Sequence, residues 1–124
     1  MLSYIIKGKR KICGTVKASG SKNAALPIIA AAILNPEPVT LYNIPSIEDT
    51  KITLEILRLL GCKVTAERGK ITICSKDMNK TEIPEELMNK LRSTVVLAGA
   101  ILGRFKKATF SYPGGCNIGE RPID

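Results

Sequence analysis

Residues 46–74, SIEDTKITLEILRLLGCKVTAERGKITIC, change hydrophobic period halfway along. Up to Leu60 the apolar residues Ile52, Ile56, Leu59 and Leu60 recur at the three-to-four spacing of one helical face. Ser46 with Asp49 three residues on makes an acidic version of a capping box, and Gly61 supplies the stop. Beyond Gly61, two segments rich in β-branched residues flank Arg68 and Gly69, the pattern of a hairpin with a tight turn. A helix running straight into a hairpin makes this an α/β chain.

The same alternation extends outward. On the N-terminal side, VTLYNIP (39–45) has strand composition. Before it, AALPIIAAAIL (24–34) is an alanine-rich apolar run that favours a buried helix, with Pro27 within its first turn or two and NPEP (35–38) as its end. KICGTVKAS (11–19) alternates like a half-buried strand. On the C-terminal side, Pro84 opens a third predicted helix whose apolar positions are Leu87, Leu91, Val95, Ala98 and Leu102. KATFSY (107–112) then returns to strand character before the glycines at 114 and 115.

Two of these segments resemble each other: AAIL at 31–34 matches GAIL at 99–102, and VTL at 39–41 matches ATF at 108–110. Each copy has a basic residue near its helix start, Lys22 or Arg92, and a proline after its strand, Pro45 or Pro113. The repeated unit is strand, helix, strand, helix and hairpin, with one unit complete and a second begun. It is far longer than a solenoid repeat.

Composition removes several function classes. The chain has 124 residues, enough for a single core, and no histidine, which excludes a His triad, a His metal site and an imidazole base within it. The four cysteines Cys13, Cys62, Cys74 and Cys116 include no CxxC pair, so zinc-knuckle and thioredoxin readings fail. A net charge of +8 suits anionic partners such as phosphates or nucleotides. A small basic RNA-binding module is an alternative from a different class, but two Phe, three Tyr and no Trp leave it without stacking platforms. There is no secretory signal and no 18-residue apolar run, so the expected setting is cytoplasmic, with reduced thiols and no membrane partner.

Three places could carry chemistry. In SGSKNAA (19–25) a break at Gly20 leads into a helix start, where free N–H groups and the dipole favour an anion and Lys22 adds a charge. The same residues also fit an ordinary helix cap with a solvated lysine. Arg92 is placed beside the apolar stripe of the third helix, where a surface arginine would also sit. Cys116, between Gly115 and Asn117, has little steric shielding, and Arg121 and Glu120 would pull its pKa in opposite directions. A thiolate there would be a nucleophile and a thiol a proton donor. Cys13 and Cys74, within predicted strands, and Cys62, at a helix end, read as inert.

In their order and spacing, SGSKNAALPI, LRSTVVLAGA and PGGCNIGERPID resemble the UDP-N-acetylglucosamine 1-carboxyvinyltransferases of the enolpyruvyl transferase family, over residues 8–124. The resemblance implies part of an inverted α/β barrel, with residues 1–21 as N-terminal strands that join the other domain and residues 22–124 as an incomplete first barrel domain. It implies transfer of the enolpyruvyl group of phosphoenolpyruvate to the 3-hydroxyl of UDP-N-acetylglucosamine, the first committed step of peptidoglycan synthesis, with no cofactor, metal or nucleic acid.

By matched position the resemblance also assigns roles. Lys22 and Asn23 would meet phosphoenolpyruvate and the sugar nucleotide, and Arg92 would contact the UDP-sugar. Cys116 would donate a proton to the methylene carbon, and could also form a covalent adduct. Arg121 would hold anionic oxygens, and Pro122, Ile123 and Asp124 would line the nucleotide pocket. Val96, Asn117 and Glu120 depart from the commonest family residues. Members of the family are several-fold longer, so the resemblance makes this chain an N-terminal fragment, expected to be inactive without the missing C-terminal part. The sister enzyme 5-enolpyruvylshikimate-3-phosphate synthase shares the helix start and lacks the GGC loop.

Overall fold

The structure, a computed structural model, describes residues 3–111. Its elements in chain order are α1 (Lys22–Ala32), β1 (Val39–Tyr42), α2 (Glu48–Leu59), β2 (Lys63–Glu67), β3 (Lys70–Cys74), α3 (Glu85–Met88) and α4 (Thr94–Phe105). The strands form an antiparallel sheet in the order β1-β3-β2. The hairpin expected at Arg68 and Gly69 is present: Glu67 pairs with Lys70, and Gly69 holds the positive φ of +72° that the two-residue turn requires. Val39 faces Ile73 and Leu41 faces Ile71, so one face of the sheet is apolar. The other carries Thr40, hydrogen-bonded to Thr72 at 3.1 Å between hydroxyls.

The helices bury their small and branched residues against that apolar face, in a core that includes Ile29, Ile33, Ile56, Leu57, Ile73 and Ile101. α1 touches both α2 and α4. The internal repeat reappears as burial. At a constant offset, Leu26, Ile29 and Ala30 of α1 and its C-cap Ile33 correspond to Thr94, Leu97, Ala98 and Ile101 of α4, and all eight are buried. Leu34 and Leu102, the next pair, are 52% and 53% exposed. The two helices thus bury matching positions of the two copies.

A part-buried polar clasp joins this helix pair to the segment after β3. Arg104 of α4 donates through Nη1 to the Ile33 carbonyl at 2.7 Å and to Ser75 Oγ, and through Nη2 to the Ser75 carbonyl at 2.9 Å. Ser75, fully buried, lies within hydrogen-bond reach of the Ile33 and Asn35 carbonyls. The guanidinium thus serves the Ile33 carbonyl at the C-terminal end of α1 and the Ser75 carbonyl after β3.

The structure departs from several expectations. The third helix is two helices: after the single turn of α3, residues 89–93 form turns with three-residue closures such as Leu91 N–H to the Met88 carbonyl and Thr94 N–H to the Leu91 carbonyl. The buried face of α4 carries Thr94, Leu97, Ala98 and Ile101, whereas Leu102 is exposed. α2 begins after Ile47 with no side-chain cap, so Ser46 does not cap it, and Leu59 is exposed while Leu54 and Leu57 are buried. Residues 3–19 form no strand and are exposed, since no described strand lies beside them to pair with. Cys13 is accordingly exposed rather than held in a sheet. The strand expected over 107–112 is reduced to one parallel bridge, Thr109 with Glu82, and Tyr112 lies outside the described residues.

Candidate functional site

The α1 start is built by one close approach. A Cβ on Gly20 would lie 1.8 Å from the Asn43 carbonyl oxygen and 3.2 Å from Pro45 Cδ, so only glycine fits against the loop between β1 and α2. That loop turns through Asn43, whose φ is +57°, and is tied to the hairpin by Asn43 N–H donating to the Gly69 carbonyl at 2.8 Å. The chain leaves Gly20 through Ser21 in extended conformation and enters α1 at Lys22. The entry to α1 is therefore fixed beside the entry to α2.

This placement gives Lys22 a partner 27 positions along the chain. Its ammonium forms an ion pair with Asp49 Oδ2, from the first turn of α2. The Lys22 side chain remains 52% exposed and that of Asp49 only 23%. α1 has no side-chain cap and no acidic residue in its own first turn, so its leading N–H groups are not occupied by a side chain. Asn23 lies in the same turn and is exposed. An ion-paired lysine and an exposed amide thus stand at a helix start with no side-chain cap among the described residues, the group types that phosphate or carboxylate oxygens accept hydrogen bonds from.

Arg92 lies in the turn before α4 rather than on the side of a helix, and is half-buried. It and Lys22 each precede or open one of two helices that pack together. Cys116, Arg121, Pro122, Ile123 and Asp124 lie outside the described residues. Two clefts are lined by other residues: one of about 530 Å³ beside Asn79, Thr81 and Glu82, and one of about 170 Å³ between the β1–α2 loop and the hairpin tip. Neither is lined by Lys22, Asn23 or Arg92.

Among the described residues there is no cluster of three or more potential metal ligands, and no helix long and apolar enough to cross a membrane. Of the described thiols, Cys62 is buried, and burial pushes it up to about 11 against the opposing pull of Arg104, with Cys74 adding to the rise. It is held as a neutral thiol. The residue that sequence reasoning passed over is Asp49, which served there only as a capping partner for Ser46. No spacing rule links positions 22 and 49; the one available signal was an acidic residue near a helix start in a basic chain.

The profile of EPSP synthase (3-phosphoshikimate 1-carboxyvinyltransferase) matches residues 6–124. Over the whole chain, the sequence is 43% identical to UDP-N-acetylglucosamine 1-carboxyvinyltransferase 2 of Caldanaerobacter subterraneus subsp. tengcongensis, covering 30% of that protein. It is 46% identical to UDP-N-acetylglucosamine 1-carboxyvinyltransferase 1 of Carboxydothermus hydrogenoformans, covering 29% of it. Among solved structures, the enolpyruvyl transferase NikO from Streptomyces tendae superposes with a TM-score of 0.69 at 26% identity, over 78% of this chain and 23% of NikO. The chain thus spans about 30% of the length of the curated relatives it matches.

Proposed function

Since the chain belongs to the EPSP synthase (3-phosphoshikimate 1-carboxyvinyltransferase) family, we propose that it supplies part of the site that transfers the enolpyruvyl group of phosphoenolpyruvate to the 3-hydroxyl of UDP-N-acetylglucosamine. The observation that carries this choice of acceptor is identity of 43–46% along all of the chain to proteins named for that sugar nucleotide. The uncapped, basic start of α1 supports it, because both substrates are anionic.

In this reading Lys22, Asn23 and the α1 N–H groups hold phosphate and carboxylate oxygens, and Arg92 contacts the UDP-sugar. Arg121 takes further anionic oxygens, with Pro122, Ile123 and Asp124 against the nucleotide. Cys116 gives its thiol proton to the methylene carbon of phosphoenolpyruvate as the sugar oxygen bonds to the neighbouring carbon. The hydroxyl proton passes to a carboxylate expected in the remaining length of the relatives. Loss of phosphate from the tetrahedral adduct, with return of a proton from the new methyl group to the Cys116 thiolate, then restores the double bond and the thiol. The cations stabilise charge as it moves toward the departing phosphate. Peptidoglycan synthesis in the cytoplasm is the setting that follows from this acceptor.

The test is a chimera in which residues 1–124 replace the matching segment of the Caldanaerobacter relative, with that relative as the control. Phosphate release from phosphoenolpyruvate is expected with UDP-N-acetylglucosamine and not with shikimate 3-phosphate, while the 124-residue chain alone releases none. Release only with shikimate 3-phosphate would assign the acceptor in the family's own name instead. Cys116→Ala in the active chimera is expected to lower kcat by roughly 10²-fold or more.

A further inference from the structure

Two carboxylates open α2, and each meets a different lysine. Glu48 pairs with Lys51 on its own helix at 3.5 Å, with both side chains largely exposed. Asp49 reaches across to Lys22 at the start of α1, and its bonding oxygen is buried. The Asp49 turn is secured by Thr53 Oγ1, which donates to the Asp49 carbonyl at 2.8 Å, and Thr53 is itself buried. Asp49 gives α2 no side-chain cap. Its carboxylate is directed at the neighbouring helix.

The arrangement has two consequences for the lysine. A four-carbon stem has many rotamers, and a partner rooted in a packed helix restricts where its ammonium can sit. The ion pair does not bury the lysine, since half of its side chain is still exposed. A carboxylate this close would also repel an anionic ligand, so it weakens binding unless its positioning effect is larger. The close packing of Gly20 on Asn43 and Pro45 sets the helix starts at the separation the ion pair needs.

We infer that Asp49 is a positioning residue for Lys22: it aims the ammonium at the phosphoenolpyruvate oxygens, acting on substrate only through the lysine. This rests on the reading of Lys22 given above.

In the active chimera, Asp49→Asn is expected to lower kcat/KM for phosphoenolpyruvate by roughly tenfold, and Asp49→Glu to recover part of the loss. In a Lys22→Ala background the same substitution is expected to change nothing further, because its route to the substrate is gone. The control Glu48→Gln should leave kcat/KM unchanged. An Asp49→Asn enzyme with kcat/KM equal to or above the parent, or losses that add in the double variant, would overturn the inference. If Asp49→Asn does not fold by circular dichroism, the cycle is run with Asp49→Glu, where equal losses in both backgrounds overturn it. Lys22→Ala with unchanged kcat/KM would instead overturn the underlying reading of Lys22.

Discussion

Gly20 and Cys62 show how single residues set local constraints here. Gly20→Ala would place a methyl group inside the Asn43 carbonyl, which is backbone and has no rotamer to relieve the clash. The expected cost is about 1–3 kcal/mol, read as a lower urea midpoint with unchanged slope. At Cys62 the thiol's pKa is raised from 9.0 to about 11, chiefly by burial. Folding therefore favours the neutral thiol, and its contribution is complete below pH 9 and lost as pH rises toward 11. The loss is about 2–3 kcal/mol, at 1.36 kcal/mol per pKa unit. Stability measured between pH 8 and 11 should fall more steeply in the parent chain than in Cys62→Ala. Cys13, exposed, should react with iodoacetamide at pH 8 well before Cys62 does.

Among the elements, α1 and α4 are the informative pair. Their matched burial shows that the weak repeat in AAIL and GAIL reflects one packing solution used twice. What differs between the copies is the polar clasp, where Arg104 carries bonds to the end of α1 and to Ser75. Removing it takes the guanidinium donor from the Ile33 carbonyl and from the buried Ser75 hydroxyl oxygen, while the Ser75 carbonyl keeps its bond from Met78 N–H. Arg104→Ala is expected to destabilise the chain by about 3 kcal/mol. Arg104→Lys should recover only part of this, because an ammonium lacks the planar fork that serves two acceptors at once. Chemical denaturation of the three proteins would order them parent, lysine, alanine.

Over the whole molecule, order is unevenly distributed. Residues 3–19 are exposed and outside the sheet, whereas Ile29, Ile33, Ile56 and Leu60 are fully buried. Amide exchange should be near intrinsic rates over 3–19, and slowest in α1, α2 and β3. Protection across 11–18 in the isolated chain would show that those residues find a strand partner after all. The α1 and α4 faces bearing Ile28, Leu34, Val96 and Leu102 are partly exposed. In the relatives, about 70% of the length lies beyond the matched portion.

The helix–hairpin order, the repeat, the basic α1 start and the family likeness were all legible in the chain, because each depends on residue type and short spacing. The hairpin at Gly69 and the buried stripe of Leu26, Ile29, Ala30 and Ile33 follow from local periodicity and turn chemistry alone. The break at residues 89–93 was hidden, since Leu87 to Leu102 keeps a plausible helical spacing across it. Residues 11–19 form no strand among the described residues, because alternation becomes a strand only where a partner takes its hydrogen bonds. The pairing of Lys22 with Asp49, and of Arg104 with Ile33 and Ser75, arose only when packing brought distant helix ends together. Their geometry depends on how the helices seat on one another, and no local pattern encodes that.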